Sequence, residues 1–181
     1  SRYRSYLNFS STAWQGQDII SASMKLYLNW SWSCTPKPFT ILPATLASSA
    51  TRWTNQPIGY TTGSVSRSAA AGYNSSCGAA YVVTDITPTV TYLAPTVSGN
   101  AGFSLRASDT DSTGWKRFNS FNASVGKPSI TVTYNRYPGT PVTPSVQNAQ
   151  IVSGGVAERM KMWSYAVYVT IFSACMYPLA A

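Results

Sequence analysis

Three short stretches carry side chains that could do chemistry. Residues 109–117, DTDSTGWKR, set the carboxylates Asp109 and Asp111 ahead of Trp115, Lys116 and Arg117. Residues 30–34, WSWSC, place Trp30 and Trp32 two apart and end on Cys34, and residues 73–77, YNSSC, carry Tyr73 and Cys77. Aromatic rings in polar loops can stack on the faces of sugar rings, with nearby polar groups fixing the sugar's orientation. A tryptophan followed by two cations suits an acidic polysaccharide, the ring supplying contact area and Lys116 and Arg117 meeting carboxylates. Each has a structural alternative. Large aromatics bury most of their area, so Trp30 and Trp32 also read as packing residues, and Lys116 and Arg117 as a solvated face. Trp53, in RWTNQP, is expected to pack in the core or pin its loop and stands outside the binding set.

Asp109 and Asp111 alternate as oxygen ligands for a calcium ion would, but the glycine and distal glutamate of a helix–loop–helix calcium loop are absent. A structural calcium is the one ion these residues suggest, and no other cofactor is expected. Catalysis has little to work with. The chain has no histidine and five carboxylates, so the commonest general base is missing, as is any histidine-containing zinc site. A paired-carboxylate hydrolase would need two of Asp85, Asp109 and Asp111 across a cleft, and no spacing places them so. The expectation is a non-catalytic module.

The elements that must position these residues are strands. Charged residues make up 10% of the 181 positions, well below the roughly 25% of an ordinary soluble domain. Ser, Thr, Asn, Gly and aromatics fill the difference, as in secreted all-β modules with short strands and Gly/Ser turns. Cys34 and Cys77 sit among turn residues and read as a disulfide formed in an oxidising compartment. Two unrelated buried thiols remain the alternative. Cys175 is expected to pair with nothing. The net charge of +8 comes from dispersed cations without a Lys/Arg-rich run, so nucleic acid is not an expected partner.

Period-two alternation is clearest over 98–134, which reads as strand, loop, strand, loop, strand. Phe103 and Leu105 alternate with Ser104 and Arg106 there, and Ile130, Val132 and Tyr134 with Thr131 and Thr133. Residues 1–10 read as a strand with Leu7 and Phe9 inward, followed by a turn over TAWQGQD. Met24, Leu26 and Leu28 alternate with Lys25, Tyr27 and Asn29 in a second strand. FTILPATL is broken by Pro43 and is expected to be an edge or bulged strand. Residues 48–78 read as ordered loop with a helical turn over 66–71. AAYVV supplies a strand, and Asp85 or Thr87 caps a helical turn over 88–93, with proline at its first position.

The pieces RSYLNF, IISASMKLYL, TRWTNQP, VVTDITPTV, NAGFSLRA, GWKRFNS and KPSITVTYNRYP occur in one order. That order resembles the DNRLRE domain of secreted bacterial proteins, grouped with family 96 carbohydrate-binding modules, over residues 1–138. SWSC and SSCGAAY resemble its actinobacterial versions, whose two cysteines are expected to pair. The resemblance implies a jelly-roll-like β-sandwich with an accessory, non-catalytic role on extracellular or wall-associated proteins. Its partner would be a polysaccharide or cell-surface glycan. Family members carry a further strand and loop ahead of RSYLNF, so an edge of the sandwich is expected to be open. Ser1 begins directly in a strand-like pattern, as a fragment would. A structural or adhesive spacer without a sugar site is the reading from another class.

TPVTPSVQ is an extended Pro/Thr linker by composition, placed at 139–147. Residues 148–181 contain GGVAERMK and end in YPLAA, and resemble a loop and the following helix of ammonium transporters. Residues 162–181 carry no charge and are long enough for one membrane-spanning helix outside the sandwich. Arg159 and Lys161 precede that run, which would hold its N-terminal side in the cytoplasm and conflict with a disulfide module. The expected account is therefore a sandwich joined to a transporter-like fragment with no coherent joint activity. A membrane would be met through 162–181 alone, and 1–138 is expected to be extracellular.

Overall fold

The computed structural model of the chain describes residues 4–136. The linker over 139–147, the segment over 148–181 with its apolar helix at 162–181, and Cys175 lie outside those residues. Among the described residues, no helix is long and apolar enough to cross a membrane.

Eight strands form among the described residues: β1 (Ser5–Ser10), β2 (Asp18–Ser31), β3 (Lys37–Ala44), β4 (Val65–Ala69), β5 (Ala80–Asp85), β6 (Asn100–Ala107), β7 (Lys116–Phe118) and β8 (Ser129–Asn135). A short helix, α1 (Thr87–Leu93), joins β5 to β6. One sheet runs β1-β6-β3-β4, and the other is built on β2. β5 pairs with one edge of β2, while β8 and then β7 share its other edge. All these pairings are antiparallel. The all-β sandwich expected from the alternating pattern is the fold observed.

The alternation explains the core. Ala22, Met24, Leu26 and Leu28 of β2 are buried, with Ile130 and Val132 of β8 beside them. Phe39 and Ile41 of β3 and Phe103 and Leu105 of β6 meet them from the other sheet. Side chains from two inner faces interdigitate in this way in any sandwich, and each fully buried Leu, Met or Phe contributes about 1.5–3 kcal/mol by leaving water. α1 packs against both β2 and β3, with Val90 and Leu93 buried, and so closes one end of the core. Its cap differs from expectation. Ile86 occupies the N-cap position, and Asp85 acts one residue earlier, accepting the Thr87 amide at 2.9 Å and its hydroxyl at 2.6 Å.

Three other expectations are corrected. β3 is an interior strand lying between β6 and β4. Pro43 is tolerated there because its missing N–H would point away from β6, on the side where its carbonyl accepts the Tyr60 amide. β4 pairs with β3 only as far as Ile41, so no ladder bond is lost at Pro43. Residues 66–69 lie in strand β4 and form no helical turn. Their Ser-rich sequence has no apolar alternation, and pairing with β3 decides their conformation. Trp53 lies outside the core at 55% exposure, with the Arg4 guanidinium 5.8 Å above its ring. The tryptophan that does fill the core is Trp14, 1% exposed, in the turn after β1.

The outer faces of the two sheets differ in how far they are covered. Residues 45–60 fold over the outer face of the β1-β6-β3-β4 sheet. There the Tyr6 hydroxyl donates to Gln56, Asn8 bonds to Ala47, and the Arg106 guanidinium lies over Gly59. Ser104 and Leu42 are buried under that cover although they point away from the core. The outer face of the β2 sheet keeps Tyr81, Val83, Trp32 and Trp115 exposed.

Candidate functional site

The open face is organised by a bulge in β2. Leu28 pairs with Phe118, but Trp30 pairs with Arg117 and Ser31 with Lys116, so Asn29 is the extra residue. A bulge shifts every following side chain to the opposite face. Strict alternation would carry Trp30 inward behind Leu28. With the bulge, Ser31 takes the buried position, and Trp30 emerges on the outer face opposite Arg117.

Three of the candidate aromatics meet there. Trp30 lies at the centre, with the Trp115 ring at 5.2 Å and the Trp32 ring at 6.0 Å, both close to perpendicular to it. Edge-to-face contacts of this kind hold rings in place. Trp32 remains 49% exposed and Trp115 42% exposed, while Trp30 is half-buried. Trp30 therefore serves as the packing residue that fixes two accessible rings. Tyr73 is also exposed, but among the described residues it makes no ring contact with the tryptophans. It is placed by its backbone: Gly72, at φ 78°, packs so closely on the Asn29–Trp30 peptide that a Cβ could not be accommodated.

The disulfide sets this corner. Cys34 and Cys77 are bonded, with Cα atoms 5.7 Å apart. The bond ties the loop carrying Trp32 to the loop carrying Tyr73. The Gly72 amide donates to the Cys77 carbonyl at 2.6 Å, and the Ala71 amide to the Ser31 hydroxyl at 3.1 Å, which closes the same loop without covalent help.

Lys116 and Arg117 do not share a face. They are neighbours on β7 and so point to opposite sides of the sheet. Arg117 shares the tryptophan face, where its Nε donates to Asn29 Oδ1 at 2.7 Å, and Asn29 in turn donates to Asn119 Oδ1. No carboxylate pairs with Arg117 among the described residues. Lys116 instead lines a small open cavity of about 50 Å³ together with Ser5, Phe39, Leu105, Trp115 and Phe118. Burial pushes its pKa down, and its ammonium donates to the Gly114 carbonyl at 3.2 Å.

Asp109 and Asp111 each answer to a cation. Asp109 accepts from both terminal nitrogens of Arg4, one at 2.6 Å, and this pairing raises the Arg4 pKa. Asp111 accepts from the Thr113 hydroxyl at 2.6 Å and its amide at 2.9 Å, and pairs with Lys37 at 3.1 Å. The Thr113 bonds, then Lys37, lower its carboxyl to about 2. Among the described residues no group of three or more His, Cys, Asp or Glu side chains gathers. Carboxylates already neutralised by Arg and Lys are a poor donor set for calcium, which takes six to eight oxygens. Asp85 is engaged with Thr87, accepting its amide and its hydroxyl.

Several outer-face residues were not among the sequence candidates: Lys25, Tyr27, Asn29, Tyr81 and Asn119. One signal was available. Tyr27 and Tyr81 are large aromatics at positions that the alternation assigns to solvent. No curated protein matches the chain. Residues 1–134 match the model of carbohydrate-binding module family 96, and the chain belongs to that family.

Proposed function

We propose that this chain is a non-catalytic, extracellular module that binds an acidic polysaccharide on the outer face of the β2 sheet, around Trp32, Trp115 and Arg117. One observation carries this reading: two exposed indole rings are each held nearly perpendicular to a third, beside a guanidinium that no carboxylate among the described residues neutralises. Exposed rings provide stacking area, and their fixed orientation limits the entropy lost when a sugar binds. Asn29 holds Arg117 by its Nε, which leaves the terminal amino groups directed at a ligand carboxylate. The family supports carbohydrate as the ligand class. The net charge of +8, and an Arg117 that no carboxylate among the described residues pairs with, support an acidic one. The Cys34–Cys77 bond is compatible with an extracellular location. Tyr73 has a supporting place at the edge of this site on the disulfide-bonded loop, while Lys116 lies on the far side of the sheet and stands outside it.

Affinity electrophoresis of the full chain on alginate and on a neutral glucan tests the reading. Trp32→Ala is expected to abolish retardation while leaving the melting temperature within a few degrees of wild type. Arg117→Ala should weaken binding to alginate by about two- to five-fold, since a single exposed charge contributes about 0–1 kcal/mol, and should flatten its salt dependence. Wild type that binds neither polymer, or Trp32→Ala that binds like wild type, would refute it.

A further inference from the structure

We propose that the binding face runs beyond the tryptophans along the exposed side of β2 as far as Lys25, and that it holds several consecutive units of an acidic polysaccharide chain. This rests on the sugar-binding reading above and extends it from a contact point to a track.

The residues are continuous. From Trp32 and Trp30 the face passes to Arg117, Asn29 and Asn119, which are joined by side-chain hydrogen bonds. Tyr27 follows on β2, with Tyr81 of β5 directly opposite and their rings 5.0 Å apart. Lys25 comes next, its ammonium 4.1 Å from the centre of the Tyr81 ring. The loop between β7 and β8 borders the track, since Gly126 packs against the Tyr27 ring and the Asn119 amide donates to the Tyr27 carbonyl. The same loop carries the exposed Phe121, with the Lys127 ammonium 5.1 Å from its ring centre. From Trp32 to Lys25 the strand covers about 20 Å at ~3.3 Å per residue, room for several sugar rings laid end to end.

The charges define the occupant and its limit. Arg117, Lys25 and Lys127 lie along or beside this track. Immediately past Lys25, Asp85 stands opposite Ser23, and Asp18 stands at the start of β2, accepting from Asn135 at 3.1 Å. A polyanion is therefore attracted from the tryptophans to Lys25 and repelled beyond it. A neutral glycan would have no use for this polarity, and the aromatic rings between the cations suit sugar faces better than a bare polyanion such as polyphosphate.

Isothermal titration of the full chain with oligouronates, from the disaccharide to the hexasaccharide, tests the track. Wild-type affinity is expected to rise with length. Lys25→Gln and Tyr81→Ala should each lower hexasaccharide affinity by about two- to five-fold, a loss of up to about 1 kcal/mol, and flatten the rise with length. Trp32→Ala should lower affinity at every length. Thermal melts of each variant separate loss of contact from loss of fold. The track is overturned if wild type binds the disaccharide and the hexasaccharide equally while Trp32→Ala still removes binding, an outcome that leaves the tryptophan site standing. It is equally overturned if Lys25→Gln and Tyr81→Ala bind the hexasaccharide like wild type. Failure of wild type to bind any length removes both readings together.

Discussion

Replacing Cys34 and Cys77 together by serine separates what the disulfide does for stability from what it does for the site. The two residues are 43 apart in sequence. A cross-link acts mainly on the unfolded chain, whose freedom it restricts, and a loop of this length corresponds to about 4 kcal/mol at 25 °C in the chain-entropy model. Noncovalent anchors survive the substitution: Gly72 to Cys77, Ala71 to Ser31, and the Ser76 amide to Asn74 Oδ1 at 2.9 Å. They keep the native loop geometry but do nothing to confine the unfolded chain, so nearly the whole entropic loss should appear. A domain of about 130 residues unfolds with roughly 0.27 kcal/mol per kelvin of entropy, which converts 4 kcal/mol into a fall of about 15 °C in melting temperature. Stabilities of 5–15 kcal/mol are usual, so about 4 kcal/mol is a large share that most such domains survive. Urea titration of the full chain and the double variant measures the loss. Glycan binding well below the lowered melting point should persist, because Trp30 still clamps its neighbours. A loss under about 1 kcal/mol would refute the unfolded-state reasoning. Loss of binding in a variant that remains folded would show that the bond, and not the tryptophan packing, shapes the site.

Two further outcomes follow from the packing and the charges. Trp14→Ala should cost about 3–5 kcal/mol in urea titration, because its ring is buried in the core, whereas a loss near that of exposed Trp32→Ala would contradict its placement. Asp111 titrates at about 2 in the folded chain against a reference of 3.8. Its contribution is present above 3.8 and is lost as pH falls through about 2, so thermal melts of Asp111→Asn should lie flatter than wild type across that window.

The strands themselves were legible because their signal is local. In β2, the alternation of Met24, Leu26 and Leu28 with Lys25 and Tyr27 states which face is buried without knowledge of the partner strands. Cys34 and Cys77 were legible as a pair through their turn-rich surroundings and a secreted-type composition. The order of motifs that resembled family 96 modules pointed to the family whose model matches residues 1–134. The tryptophans were each visible, but not their meeting, because Trp115 is brought to Trp30 only by the pairing of β7 with β2.

Other features were decided in three dimensions. Pro43 read as a mark of an edge strand, yet β3 is interior, since what matters for proline is whether a partner needs its N–H at that register. Lys116 and Arg117 read as one cationic pair, yet the pleat sends them to opposite sides. Sequence alternation ends at Leu28, and nothing local announces that Asn29 will be the bulged residue. That single extra residue puts Trp30 on the outer face and Ser31 in the core. Which sheet face stays open was equally hidden, because residues 45–60 cover one sheet through contacts with β1, β3 and β6 that are distant in sequence. A period of two is written residue by residue along the chain. Register, bulges and cover are properties of pairs of segments, and only the folded chain brings those segments together.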